Sequence, residues 1–257
     1  MKKQMVCSLA ACLSIAAATC AGEPGDFWLG IRGGPSIPHL SGGGNEVSRG
    51  YDSIIAPNAG LIAEYGLMTR FSLLVEVDYS GQGGERKGIQ PITQSPEGFP
   101  QLPPGQSLYG NFKNKSILNY LEVPLLGKYE WGNGDHWRYF IELGPYVGYL
   151  LNAKEESRGT SQIYVDKAGT PLTVGGQPLP AVSFDADTNV RGDLNKVNAG
   201  VMGGLGTEYL LDRNNQIFLD LRGEYGLTTV QKDSERDGKS HTGSAILSIG
   251  YKHLFGR

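Results

Sequence analysis

One stretch constrains the fold more than any other: from Ser116 to Asn152, apolar and polar residues alternate along two arms joined at Gly132–His136. On the first arm Leu121, Val123, Leu125, Tyr129 and Trp131 share one parity, against Tyr120, Glu122, Pro124, Leu126 and Lys128. On the second, Trp137, Tyr139, Ile141, Leu143, Val147, Tyr149 and Leu151 alternate with Phe140, Glu142, Tyr146 and Asn152. A repeat of two over this length is a strand signal, because a helix brings every third or fourth residue to one face. The aromatics gather at the turn end of an otherwise aliphatic face. That arrangement is expected where a strand leaves hydrocarbon through a membrane interface. Matched faces put Trp131 opposite Trp137, Tyr129 opposite Tyr139 and Leu125 opposite Leu143.

The same alternation marks eight strands, near Phe27–Ser36, Ala56–Gly66, Arg70–Gln82, Ser116–Trp131, Trp137–Asn152, Leu194–Leu211, Gln216–Gln231 and His241–Phe255. Long connections (Pro35–Ile55, Gly83–Lys115, Ala153–Asp193, Lys232–Ser240) alternate with short ones (Leu67–Thr69, Gly132–His136, Asp212–Asn215). An even strand count with alternating loop lengths predicts an all-β fold: an eight-stranded antiparallel up-and-down transmembrane β-barrel. Short turns and both chain ends would face the periplasm, and the long loops the exterior. At the first turn, matched faces put Tyr65 opposite Phe71, Ala63 opposite Leu73 and Leu61 opposite Val75. At the third, Leu211 would face Ile217 and Tyr209 would face Leu219.

Nearly all strand charges fall on the opposite parity. The acids are Glu64, Glu76, Asp78, Glu122, Glu142, Glu208, Asp220 and Glu224; the bases are Arg32, Arg70, Lys128, Arg222 and Lys252. An Arg or Lys facing lipid near the midplane costs about 2–4 kcal/mol, so these groups belong inside, paired with one another. Lys128 is expected diagonal to Glu142, Glu130 opposite Arg138, and Gly144 and Gly148 opposite Pro124 and Tyr120. Eight strands enclose room for side chains only, so the lumen should be filled and no wide pore is expected.

Composition closes off other classes. After the N-terminus no apolar run of the 257-residue chain approaches the roughly 20 residues a spanning helix needs. A net charge of −3 without a basic patch argues against a nucleic-acid partner. Lys2 and Lys3 precede an apolar run from Met5 to Ala18 and small residues to Gly22, which reads as a cleaved signal peptide over residues 1–21. Residues 22–257 then form one barrel domain. Cys7, Cys12 and Cys20 all fall in this leader. Lipid attachment fits poorly at either later site: Cys12 leaves the apolar segment too short, and Cys20 follows Thr19. Without disulfides, stability must come from closing the sheet, which pairs every backbone amide in the bilayer.

The run Asn119-Tyr-Leu-Glu-Val-Pro-Leu-Leu-Gly-Lys-Tyr129, followed by Glu142-Leu-Gly-Pro-Tyr-Val-Gly-Tyr-Leu-Leu-Asn-Ala-Lys154, resembles the outer-membrane β-barrel domain family typified by PorT-like proteins of Gram-negative bacteria. Gly30–Gly34 and Ser248-Ile-Gly-Tyr-Lys252 agree more loosely. The resemblance implies an eight-stranded barrel integral to the outer membrane. Some relatives belong to a protein-secretion apparatus, but a fold of this kind does not transfer a role.

Candidate sites have plain structural readings. Asp185-Ala-Asp187-Thr-Asn189 imitates the start of a calcium loop, yet Val190 stands where Gly is needed and Lys196 where a bidentate Glu belongs. Gly200-Val-Met-Gly-Gly-Leu-Gly206 lacks the Lys-Ser/Thr of a nucleotide loop and alternates as a strand, its small residues making room for lumen side chains. His39, His136, His241 and His253 show no metal spacing. No catalytic, cofactor-binding or metal residue is therefore assigned, and no cofactor is expected. The expected function is a monomeric, non-enzymatic structural or interaction module in outer-membrane lipid. It would meet an extracellular or envelope protein through loops 83–115 and 153–193. The alternative is a small barrel enzyme acting on envelope lipid or peptide, with His39 and His241 at the external rim beside loop Ser and Asp. A soluble lipocalin-type barrel would require the charged parity to face water.

Overall fold

The computed structural model describes residues 23–42, 45–92, 107–132, 136–235 and 237–256. The expected signal peptide lies outside these residues. So do Pro96, Phe99, Pro100, Leu102, Pro103 and Pro104 of the second long connection. Eight strands dominate: β1 Phe27–Gly42, β2 Ala56–Met68, β3 Phe71–Pro91, β4 Tyr109–Trp131, β5 Trp137–Arg158, β6 Val197–Leu210, β7 Asn215–Gly226 and β8 Ser240–Gly256. Each pairs antiparallel with its sequence neighbours, and β8 returns to pair with β1, from Phe27↔Gly256 to Gly42↔Ser240. The sheet closes into an up-and-down barrel, as the alternation predicts.

Side-chain parity sorts the two faces. Outward-facing Leu61 (63 %), Leu143 (69 %) and Ile249 (64 %) are largely exposed, whereas inward-facing Leu126 and Leu150 are fully buried. A belt of exposed aliphatic residues around an entire barrel has no counterpart in a water-soluble fold; it requires a hydrocarbon solvent. Aromatics bound the belt. At the short-turn rim lie Tyr65, Phe71, Tyr129, Trp131, Trp137, Tyr139 and Tyr251, with Trp137 edge-on to Tyr209 at 5.0 Å. At the other rim lie Tyr79, Tyr149 and Tyr225. Ten residues separate Tyr139 from Tyr149 on β5. At about 3.4 Å per residue and a tilt of about 40°, that spans about 25 Å, the height of an outer-membrane apolar band.

The registers differ from the sequence expectation by two residues, in one sense at the first two turns and in the opposite sense at the third. Trp131 pairs with Tyr139 and Tyr129 with Ile141, rather than with Trp137 and Tyr139. Tyr65 pairs with Leu73 and Ala63 with Val75, after a bulge between Gly66 and Met68. Tyr209 pairs with Ile217. Each pairing is displaced by two residues, which leaves every side chain on its expected face. Apolar alternation forbids a slip of one but not of two, so the turns set the choice. As a result Lys128 lies directly opposite Glu142, Glu130 opposite Phe140, Glu122 opposite Gly148 and Pro124 opposite Tyr146. Arg70 leaves the expected lumen set: with φ of 73° it occupies the β2–β3 turn.

The first three long connections are shorter than expected, whereas the fourth is longer, because β7 ends at Gly226 and not at Gln231. Gly83–Pro91 and Tyr109–Lys115, expected as loop, continue the β3–β4 ladder. Ala153–Arg158 continues β5, and Ala186–Asn189 adds a further strand to its edge from Lys154 to Ser157. These segments pass the Tyr79–Tyr149 belt, where water replaces lipid. The outward face there carries Glu85, Lys87 and Lys113 in place of aliphatic residues, so the apolar signal stops although the strand does not.

Candidate functional site

The lumen is filled from the short-turn end upward. Three inward glycines of β6 and β8 each face an aromatic ring: a Cβ at Gly200 would meet Tyr146, one at Gly206 Phe140, and one at Gly250 Phe218. Those rings pack with Ile62, Leu74, Leu126 and Met202 into one cluster. The glycine-rich run of β6 therefore admits lumen side chains, as its alternation implies.

Around the rings, cations are held between carboxylates. Lys128 Nζ lies 2.5 Å from Glu130, 2.5 Å from Glu208 and 3.1 Å from Glu64. Lys252 joins the same set through Glu208 at 2.6 Å and through Glu64. The oxygens of Glu64, Glu130 and Glu208 converge closely enough to hold a metal ion, but the lysine ammonium groups already bind them. One level higher, Arg222 makes a bidentate pair with Glu76 at 2.6 and 2.9 Å and also pairs with Glu142 and with Asp220 at 3.1 Å. Arg32 reaches Glu76 at 3.0 Å and Asp78 at 3.3 Å. Above these lies a layer without a cation: Glu122, fully buried, has no ion pair among the described residues, and Gln82 donates to Glu224. The interior is a packed polar core in which each of these cations bridges two or more carboxylates.

A second apolar layer caps this core. Leu40, Leu118, Tyr120, Leu150, Ala153, Leu194 and Val230 pack together, and Leu40, Leu118 and Leu194 of this layer form the floor of a cup that opens at the long-loop rim. The cup has a volume of about 220 Å³. Its wall includes Tyr51, Arg86, Asn114, Ser116, Glu155 and Val190. These positions follow from strand parity: Arg86 continues the inward row of β3, and Asn114 and Ser116 that of β4. Sequence reading assigned Arg86 and Asn114 to a loop because their outward neighbours had turned polar, and Ser116 to the start of a strand; the unbroken inward parity was the available signal.

Arg86 organises the cup. Its Nη1 donates to the carbonyls of Glu46, Val47 and Arg49 at 3.1, 2.9 and 3.2 Å, its Nε donates to Gln90 at 2.6 Å, and the guanidinium lies 5.0 Å from the Tyr51 ring centre. One side chain thus fixes the β1–β2 connection over the mouth. Burial pushes the Tyr51 hydroxyl above its ordinary pKa, partly opposed by Arg86. Burial also raises the carboxyl of Glu155, again against Arg86 and against hydrogen bonding from Asn114 and Ser116. Outside the cup, Glu46 accepts from Tyr109 Oη at 2.8 Å and pairs with Lys167 at 2.7 Å, joining the first and third long connections. Lys167 and then Tyr109 lower the Glu46 pKa. The third connection folds on β4, with Phe184 stacked 4.6 Å from Phe112 and Ile163–Tyr164 paired with Tyr109–Gly110.

The singled-out motifs find other partners. Asp187 pairs with Arg158 at 2.6 Å and Lys154 at 3.3 Å, Asp185 accepts from the Gly159 amide at 2.8 Å, and Asn189 accepts from the Arg191 amide at 3.0 Å. The imitation of a calcium loop is a strand edge with its oxygens in use. His39 and His241 lie near the long-loop rim as expected, but on the outward face; His241 stacks on Tyr225 at 5.9 Å. Neither lines the cup. His136 stacks on Tyr209 at the short-turn rim, and His253 contacts Asn215 at 2.8 Å and Phe255 there.

Residues 21–231 match the sequence model of the outer membrane protein beta-barrel domain. No curated protein matches the chain by sequence. Among solved structures it is similar to the outer membrane protein OprG of Pseudomonas aeruginosa, with 12 % identity over 92 % of this chain and 99 % of that one and a TM-score of 0.44. It is similar also to outer membrane protein W of Escherichia coli, with 13 % identity over 91 % and 99 % and a TM-score of 0.40. A third is Ail, the attachment invasion locus protein of Yersinia pestis, with 12 % identity over 89 % and 99 % and a TM-score of 0.38. The closed barrel, its lipid-facing belt and the match over most of its length place the chain in the outer membrane β-barrel domain family, as an integral protein of the Gram-negative outer membrane.

Proposed function

We propose that this barrel is a non-enzymatic interaction module that presents a rigid platform beyond the membrane to an extracellular or envelope partner. The observation that carries this reading is the length of β3, β4 and β5. β3 and β4 each continue twelve residues past the outer aromatic belt, from Tyr79 to Pro91 and from Leu121 back to Tyr109. Spanning the bilayer needs none of that length. The extension carries folded loops, and loops held by a rigid scaffold are where binding concentrates on such proteins. Short turns face the periplasm in this architecture, so the platform faces outward. Its outer wall alternates charge, with Glu85 between Lys87 and Lys113 at 2.5 Å each, and Asp187 between Lys154 and Arg158. A polar, charge-patterned wall suits a protein or glycan surface better than further lipid. The enzymatic alternative has less support, because His39 and His241 point away from the cup and from its acids.

The test replaces residues 92–108, or 162–182, with a short turn that leaves the paired strand extensions in place, followed by crosslinking on intact cells. Loss of specific adducts from a barrel that still shows heat-modifiable migration is expected for at least one variant. Unchanged adducts in both variants would remove the reading.

A further inference from the structure

We propose that the cup at the outer mouth binds the ammonium group of a small organic amine, with the apolar floor receiving its hydrocarbon part. The proposal rests on the reading of the external end as the working face.

The lining is short of donors and rich in acceptors. Asn114 Oδ1 is buried and makes no hydrogen bond, although the residue is only 3 % exposed. An acceptor left in that state costs about 1–3 kcal/mol, and a donor brought by a ligand recovers it. Glu155 stands beside it: Ser116 is its register partner, and Ser116 Oγ donates to Glu155 Oε1 over 3.5 Å. Among the described residues Glu155 has no cation within ion-pair distance. Asp193 adds a second acidic group to the wall.

Gln231, Ser240 and two nitrogens of Arg86 already have partners. Gln231 and Ser240 satisfy each other, side-chain amide to hydroxyl at 2.9 Å and backbone amide to Oε1 at 2.8 Å. Arg86 Nη1 and Nε are directed to the β1–β2 connection and to Gln90. Glu155 and Asp193 against the one guanidinium of Arg86 leave these three groups with a formal charge of −1. An ammonium supplies three donors and one positive charge to Asn114 Oδ1, Glu155 and Ser116, which a carboxylate or a neutral alcohol cannot do. Below them Leu40, Leu118 and Leu194, flanked by Val47 and Val190, form an apolar surface that a bare cation would leave unused. A volume of about 220 Å³ admits a short alkyl chain.

The experiment titrates the full-length protein, folded in detergent, with n-pentylamine, n-pentanol and pentanoate by calorimetry. Saturable one-site binding is expected for pentylamine alone. Glu155→Gln should weaken it about tenfold or more, the loss expected for a charge-assisted hydrogen bond, and Asn114→Leu should weaken it as well. Glu46→Gln, outside the cup, should leave it unchanged. Heat-modifiable migration shows that each variant is folded. Absence of saturable pentylamine binding overturns the proposal. So does equal binding of pentanoate, or binding that Glu155→Gln leaves intact, which marks partition into the micelle. Lost amine binding with adducts that still depend on the loops removes this inference alone. Amine binding with loop-independent adducts removes only the macromolecular partner.

Discussion

Lys128 shows how much of the lumen hangs on single side chains. Its ammonium bridges Glu64, Glu130 and Glu208 in a space with less than 5 % exposure for any of the four. Lys128→Met keeps much of the volume but leaves three buried carboxylates to Lys252 and to the more distant Arg138. Breaking a buried pair from one side costs about 3–5 kcal/mol, because the surviving charge stays desolvated. The urea midpoint of the heat-modifiable form should fall accordingly; an unchanged midpoint would show that water reaches this level. At this scale the sequence was highly legible. A charge on the lipid face is so unfavourable that parity alone placed Glu64, Glu76, Asp78, Glu122, Glu142, Glu208, Asp220, Glu224, Arg32, Lys128, Arg222 and Lys252 inside. Arg70 escaped because a turn residue belongs to neither face.

Elements were legible only where lipid wrote the pattern. Strand cores and their order follow from alternation, but strand ends and register do not. The ends of β3, β4 and β5 lie in water, where inside and outside no longer differ in polarity enough to read. Registers shifted by two residues bury the same faces, so the bulge at Gly66–Met68 decides what alternation cannot. Arg86, Asn114 and Glu155 of the cup were hidden for the same reason, since they sit on the aqueous extensions. Arg86 gives this scale its prediction. The guanidinium gathers three carbonyls of the β1–β2 connection and the Tyr51 ring, while the barrel below it is held by other contacts. Arg86→Ala should raise the rate of proteolytic cleavage within residues 43–55 about tenfold on intact cells without lowering barrel stability. Unchanged cleavage would mean that the clasp of Glu46 with Tyr109 and Lys167 suffices to hold the segment.

For the whole molecule, two solvents and one closed sheet account for the architecture. Closure pairs the backbone, hydrocarbon selects the outer face, and ion-paired side chains fill the inner one. What the chain does beyond the membrane was the least legible part, because binding surfaces carry no periodicity. The membrane account predicts a pattern that can be read residue by residue. All three cysteines, Cys7, Cys12 and Cys20, precede the described residues, so single cysteines can be introduced into the barrel without competing thiols there. Single cysteines from Phe140 to Gly148 on β5, labelled in intact outer membranes, test it directly. A lipid-partitioning thiol reagent should react at 141, 143 and 147, and neither it nor a water-soluble reagent should react at 140, 142 and 146. Water-soluble labelling at position 142, or reactivity without a period of two, would contradict a sealed barrel with its odd face in lipid.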